Sequence, residues 1–454
     1  MFFNLDINII LRNALKYGGD FGEVYIEVIE NYTKEILEKK ENIDNSNIVG
    51  FCIKVYIKEI TFFESSNNIE EIYNISNKIA EKIKMFSDKR CNIPLYYFNS
   101  IKNVRVKCNS FSYINKLEEK FNIKKKCLND EIEKVKKDVN VSIVFSYTKK
   151  RVYVFNSKNV CVSDLRKYYS YHIVSTYNDR RYKSLIAKSG EYIENSNKYI
   201  LEHVNGHYKA FINTQNSKKI KSGYYTVIIE HGSGGRLFHE IIGHLLEKSI
   251  FNISTPLEKC LGKKITSSDI TLIDDGTIEN GWGTSDYDDE GNVTQQHILI
   301  KNGILKNFIC DNKSSQFYGL KYSGNSRRES FNYDVAPRMT NTYINNGKYS
   351  YKDILKQTVS CIYIKKLGEG RVNRLTGDYK ILLEQAYLMK NETIDFFINN
   401  CYLVGNVMEV LDHVDMIAND LSFEAGMCAG RSGFIPTSVG APTIRFNKLY
   451  IEQG

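Results

Sequence analysis

Two histidines and a glutamate share one short segment, Phe238-His239-Glu240-Ile241-Ile242-Gly243-His244, just after a glycine-rich turn at Gly232-Ser233-Gly234-Gly235. The chain has only eight histidines, so placing two of them beside a carboxylate is a chemical signal. Neutral imidazoles are good ligands for a divalent transition metal, most often zinc. A carboxylate next to the first ligand can take a proton from a water that the metal polarises, which is the chemistry of hydrolysis at neutral pH. The spacing is not the common one, in which the histidines sit at i and i+4 on one helical face. Here they sit at i and i+5, roughly 140° apart on a regular helix that turns about 100° per residue. For both to reach one metal, the helix must carry a one-residue π-bulge or end near Gly243. Such bulges are rare and occur often at functional sites, and glycine eases the irregular backbone. On an ordinary helix His239 and His244 would instead lie on opposite sides, one buried and one solvated.

A catalytic zinc usually takes three protein ligands and leaves a position open for water. The remaining candidates in the second half are His297, His413, carboxylates and cysteines. Cys428 lies in Glu424-Ala425-Gly426-Met427-Cys428-Ala429-Gly430, which reads as a glycine-flanked loop whose small residues would let backbone approach a metal. Other polar blocks read as structural. Asp274-Asp275-Gly276 and Asp288-Asp289-Glu290-Gly291 lack the twelve-residue pattern of a calcium loop and fit turns between strands. Arg327, Arg328 and Arg338 either grip a peptide carboxylate or form salt bridges that shape a loop. His297, at the start of a strand, reads as structural.

The elements that must position these residues fall into two parts. The opening segment spaces Phe3, Ile7, Ile10, Leu11 and Leu15 as an amphipathic helix. Glu23 to Ile29 and Phe51 to Ile60 alternate as half-buried strands. Glu70 to Phe86, with Ile72, Ile75, Ile79 and Ile83, has helical spacing, and Tyr113 to Val139 reads as a long charge-laced helix with a solvated face. Val141 to Phe145, Arg151 to Phe155 and Tyr168 to Tyr177 read as strands of an antiparallel sheet. The polar stretch Asn213 to Gly223 is the best candidate boundary. Beyond it, Tyr224 to Glu230 is a buried-type strand leading into the histidine segment, and strands dominate from Ile270 onward. Asn302-Gly303 marks a hairpin turn. The expected architecture is α+β: residues 1–215 form helices packed on an antiparallel sheet, and residues 216–454 form a mostly β domain carrying a metal-binding helix.

Composition narrows the function classes. The 454 residues suffice for two or three domains, and 42% hydrophobic content is that of a globular chain. The formal charge of +9 comes from lysines interspersed with acids, which fits a solvated basic surface and not nucleic-acid binding. No run reaches the ~18–20 apolar residues that span a bilayer, and the amino terminus lacks the layout of a signal peptide. Ten cysteines without C-x-x-C pairs fit reduced thiols. A cytoplasmic protein with no membrane or nucleic-acid partner is expected.

Several blocks in order resemble the TldD/PmbA family of metalloproteases, in its TldD-type, metal-carrying form. They are LFHEIIGHLLEKS, LIDDGTIENGWGTSDYDDEGNVTQQHILIKNGIL, GNSRRESFNYDVAPRMTNTYI, GRVNRLTGDY and MCAGRSG followed by VGAPTIRF. The resemblance spans nearly the whole chain and is strongest from about Gly232 onward. It implies Zn²⁺ held by His239, His244 and Cys428, with Glu240 as the catalytic base. It also implies cleavage of unfolded or flexible peptides, and a homologous TldE/PmbA-type subunit without the metal motif, or a homodimer. An antiparallel sheet near the metal would accept such a peptide as an added strand. A different class of role is a non-catalytic assembly subunit, whose metal would need a fourth protein ligand. The loop CAGRSGF departs from the family pattern, which has a basic residue closer to the cysteine and a glutamine near the end. The block around Gly368 is less glycine-rich than usual. Neither departure touches a ligand, and both bear on substrate choice.

Overall fold

The structure, a computed structural model, describes residues 2–37, 40–86, 104–107, 139–190, 193, 196–250, 255–266 and 269–454. The helix expected over Tyr113 to Val139 lies outside the described residues, apart from Val139 itself. The chain is α+β. Its first half is a six-stranded antiparallel sheet with helices α1 (Ile7–Ala14) and α2 (Ile72–Phe86) packed on it. The strands are β1 (Phe21–Leu37), β2 (Lys40–Ile57), β3 (Ile60–Ser66), β4 (Asn140–Asn156), β5 (Cys161–Tyr177) and β6 (Arg180–Ser189), ordered β3-β2-β1-β4-β5-β6. Asp6 caps α1 by accepting from the Ile9 N–H. Ile7, Ile10, Leu11 and Ala14 then form its buried face, at the spacing the sequence suggests. Helix α3 (Ser196–Gln215) covers the other end of the sheet, where Ile200 and Val204 meet Tyr169 and Tyr171.

Two short strands expected at Val141 to Phe145 and Arg151 to Phe155 are one continuous strand, β4. Its polar middle is paired, not looped: Lys150 is buried with its ammonium 2.7 Å from Glu27 on β1.

The second half begins with β7 (Gly223–Ile229), the helical segment α4 (Gly234–Phe238) and the π-helical turn His239–Gly243. One sheet contains β8 (Leu272–Asp275), β9 (Gln296–Lys301), β10 (Ile304–Leu305) and β11 (Asn341–Ile344). Asn302 and Gly303 both adopt positive φ between β9 and β10, as the hairpin signal requires. Later strands are β12 (Ser360–Val372), β13 (Asp378–Lys390), β14 (Thr393–Ile398), β15 (Cys401–Asn406), β16 (Val414–Ile417), β17 (Ser422–Gly430), β18 (Gly433–Ala441) and β19 (Ile444–Gln453). Strands β17 and β18 join the first of these sheets, in the order β10-β9-β8-β11-β18-β17. In the other, the order β12-β7-β19-β15-β13 closes on itself through β12–β13 pairing, so these five strands form a barrel. The histidine segment lies between the two sheets. Leu237, Phe238, Ile241, Ile242, Leu245 and Leu246 enter one core with residues of both, such as Ile364, Phe446, Leu272 and Ile344. Each fully buried side chain of this kind contributes roughly 1.5–3 kcal/mol.

Buried charges join the two halves. Lys54 reaches Glu290 at 2.9 Å, Arg328 reaches Glu23 at 2.7 Å and Arg166 reaches Asp289 at 2.7 Å. All six residues are buried, so these charges are held by counter-charges across the seam together with partners nearby, such as Asp164 beside Arg166. No described helix is long and apolar enough to cross a membrane.

Candidate metal centre

Between His239 and Gly243 the backbone is π-helical, as the i, i+5 spacing requires. The amide of His244 donates to the carbonyl of His239, so the bond that defines the π turn links the two histidines directly. One extra residue in the turn brings position i+5 back over position i. The two rings lie 4.9 Å apart between centroids, at 77° to each other. Gly243 has no side chain because Met339, fully buried, occupies that space. A Cβ there would lie 2.8 Å from Met339 Cε and closer still to its Sδ.

Glycine also brings the third residue close. A Cβ on Gly235 would collide with the backbone of Gly440 on β18, so the start of the helix rests directly on that strand. Strand β17 pairs with β18, opposing Cys428 to Ile435. The segment read as a loop around Cys428 is therefore a strand. Its glycines sit in a regular antiparallel ladder at the sheet edge and do not interrupt it.

The structure brings His239, His244 and Cys428 together, with ligand atoms all within 4.8 Å of one another and all three residues buried. His239 Nε2 is 3.3 Å and His244 Nε2 is 3.5 Å from Cys428 Sγ. Metal–nitrogen bonds of about 2.0–2.1 Å and a metal–sulfur bond of about 2.3 Å, at a tetrahedral angle, place nitrogen and sulfur roughly 3.5 Å apart. Each nitrogen–sulfur pair thus already spans an edge of a zinc-sized tetrahedron, and the donor set fits the metal. Glu240 is beside them, its Oε2 3.9 Å from His244 Nε2 and its side chain 28% exposed. Gly370, on an irregular stretch of β12, packs alongside the Glu240 stem. His297 and His413 are elsewhere. The first bonds the Ser323 carbonyl and the second meets Asn447 Oδ1 at 3.1 Å.

Electrostatics favour a thiolate. Burial pushes the Cys428 thiol up, but hydrogen bonds from His239 and His244, with their charges, hold it at about 4. Burial lowers His244, while Glu247 and Cys428 outweigh this and raise it to about 10. Burial raises Glu247, and His244, Arg338 and Arg374 bring it down to about 2.

Glu247 is a residue of this cluster that the sequence reading missed. Its Oε2 lies 2.9 Å from His244 Nδ1, which leaves Nε2 free to face Cys428. A carboxylate on the far nitrogen of a ligating histidine fixes its tautomer and ring orientation. The signal was a glutamate three residues after His244, one helical turn on. The other polar blocks are structural. Asp274 accepts from Asn325, Thr340 and Thr342. Arg327 donates to the carbonyls of Met339 and Pro436. Arg327 thus shapes a loop and presents no free fork to a peptide.

A β-barrel joined to a second sheet, with two imidazoles and a thiol converging on a π turn, presents a donor set that could hold a divalent transition metal. Residues 222–453 match the family model described as the PmbA/TldA metallopeptidase C-terminal domain. The chain belongs to the TldD/PmbA family. It is 39% identical over 238 residues to the metalloprotease TldD homolog of Buchnera aphidicola, 52% of this chain and 49% of that one. It is 24% identical over 459 residues to the zinc metalloprotease TldD homolog of Saccharolobus solfataricus, covering 97% and 98% of the two chains. The matches to the first curated relatives span about half the length of each. The crystal structure of TldE from Thermococcus kodakarensis superposes with a TM-score of 0.73 at 17% identity, over 99% of this chain and 100% of that one, a likeness of fold.

Proposed function

We propose that this chain is a zinc-dependent peptidase that cleaves unfolded or flexible peptides, with residues 216–454 carrying the chemistry. The observation that carries the reading is the meeting of two imidazole nitrogens and one thiol sulfur beside the partly exposed carboxylate of Glu240. His239, His244 and Cys428 would hold the ion. When bound, zinc supplies Lewis acidity, lowering the pKa of a water from about 15.7 to about 7. Glu240 takes the proton of the attacking water on its carboxylate and returns it to the leaving amine. Glu247 keeps His244 in the tautomer that presents Nε2. A thiolate donor gives the metal more electron density than a third imidazole would, which favours an elevated pH optimum.

Substrate selection follows from the sheet. Among the described residues strand β17 lies at one edge of its sheet and carries Cys428, so an extended peptide added along it would pass the donor cluster. Main-chain pairing of this kind asks little of the side chains and excludes folded proteins. The proposal includes a homologous TldE/PmbA-type subunit or a second copy as partner, supported by the fold shared with TldE. The biological task is clearance of unfolded polypeptide or processing of a leader from a modified peptide.

The test compares the wild-type chain and Glu240→Gln on a denatured protein and on its folded form. Each preparation keeps whatever copurifies with it, fragments are read by mass spectrometry and bound metal is measured. Cleavage confined to the denatured substrate and lost in the variant, with metal retained, is the expected result. Equal digestion of the folded form would refute the strand-addition mode. Metal bound without cleavage by the wild type would favour an assembly role.

A further inference from the structure

We propose that Arg338 is a positioning residue for the metal centre, bracing the helix that carries His244 against the strand that carries Cys428. The inference rests on the metal reading above and adds to it how the donor geometry is held. His244 and Cys428 are 184 residues apart in sequence, on elements with no mutual backbone ladder, so something must fix their separation. The Arg338 guanidinium touches both sides. Its Nη2 donates to the Cys428 carbonyl at 2.6 Å, and Nη1 donates to Ser432 Oγ and the Gly433 carbonyl at 3.2 Å each. Its Nε is 3.7 Å from Glu247 Oε1, and the other oxygen of that carboxylate holds His244 Nδ1. One planar group thus hydrogen-bonds the backbone of the cysteine strand and the turn after it, and stands within ion-pair reach of the carboxylate that orients the histidine.

The fit is specific to a guanidinium. Gly430 lies against the fork, where a Cβ would come within 2.7 Å of Arg338 Cζ. Arg338 is only 3% exposed. Burying a charge is rarely the cheapest way to add stability, because a well-packed apolar residue serves as well or better. A buried charge that spans two ligand-bearing elements makes sense as a device that sets distance and direction. Arginine suits it, since its fixed fork holds several acceptors at once and an ammonium cannot. The neighbouring Met339 fills the space at Gly243 on the π turn, so one short segment supports the site from beneath.

The test titrates zinc into metal-stripped full-length chain against a chromophoric chelator, and records the visible spectrum of the cobalt(II)-loaded form. Arg338→Met is expected to weaken zinc binding roughly 10–100-fold, the usual effect of losing a group that orients a ligand. Its cobalt bands should shift as the thiolate and imidazole move. Arg338→Lys should fall in the same range, whereas a role of charge alone would be rescued by lysine. Wild-type affinity and an unchanged cobalt spectrum in a folded Arg338→Met protein would overturn the inference. Should that variant fail to fold, Gly430→Ala decides, because it pushes the guanidinium out of its notch. Retained affinity and spectrum there refute the bracing role, and their loss supports it. A wild-type chain that binds no zinc, like His239→Ala, would remove the metal reading itself and is a separate outcome.

Discussion

The contact between Gly243 and Met339 makes Gly243→Ala a sharp perturbation. At φ −54° and ψ −48° the residue has ordinary helical geometry, so backbone preference alone favours alanine. That gain is about 0.5–1 kcal/mol. Against it, the new methyl would lie 2.8 Å from Met339 Cε and nearer to Sδ, on a side chain with no exposed surface into which to retreat. Overpacking a filled core costs about 1–3 kcal/mol. The difference is a net loss of about 1 kcal/mol. The strain is relieved by moving either Met339 or the π turn, and movement of the turn carries His244 away from Cys428. Urea unfolding measures the first effect and zinc competition the second, with an expected weakening of about tenfold, or roughly 1.4 kcal/mol. Combining Gly243→Ala with Met339→Ala should cost at least about 1 kcal/mol less than the sum of the single losses, because the clash is gone. A Gly243→Ala chain as stable as wild type with unchanged zinc affinity would refute the reasoning, as would strict additivity.

Two further outcomes are expected. Cys428→Ser should lose bound metal, measured by elemental analysis of the purified protein; unchanged content would mean that another residue completes the donor set. His207, buried between Ser175 Oγ at 2.9 Å and Ser184 Oγ at 2.8 Å, is held down at about 4 by burial and by the charges of Lys366 and His203. Its folded-state value lies below the unfolded one, so the unfolded chain takes up protons first. Stability is therefore complete above about pH 6.5 and lost as pH falls toward 4, by on the order of 3 kcal/mol. Urea midpoints across that window should fall less steeply in His207→Gln than in wild type.

The histidine segment was legible because its spacing allowed few solutions. An i, i+5 pair reaches one point only if the backbone takes up an extra residue, and Gly243 marks where it does. The α+β layout followed from periodicity in the same way, but Glu23 to Ile29, read as half-buried, is buried on both faces from Glu23 to Val28, because Arg328 and Lys150 pair with Glu23 and Glu27. Long-range pairing was less legible. Lys149 and Lys150 looked like a break in a strand because nothing local showed that Lys150 would meet Glu27 and the Glu329 carbonyl. Cys428 sat among glycines that suggested a loop, while the ladder to β18 makes it an edge strand. Arg338 was recognised as either a gripping or a shaping residue, and only its distances to Glu247 and Cys428 decide. Glu247 announced itself weakly, as one acid among many.

The buried charges at the seam have an evolutionary consequence. Glu23, Lys54 and Arg166 come from one half of the chain, and Arg328, Glu290 and Asp289 from the other. A change to either member of a pair removes a contact across the seam and leaves a buried charge to the partners that remain, such as Asp164 beside Arg166 and Glu23 beside Lys54, at a cost in a dry setting. The halves are therefore not interchangeable parts. A hybrid that joined this first half to a relative's second half would assemble only if the matching charges travelled with it, so the two halves are constrained to diverge in step.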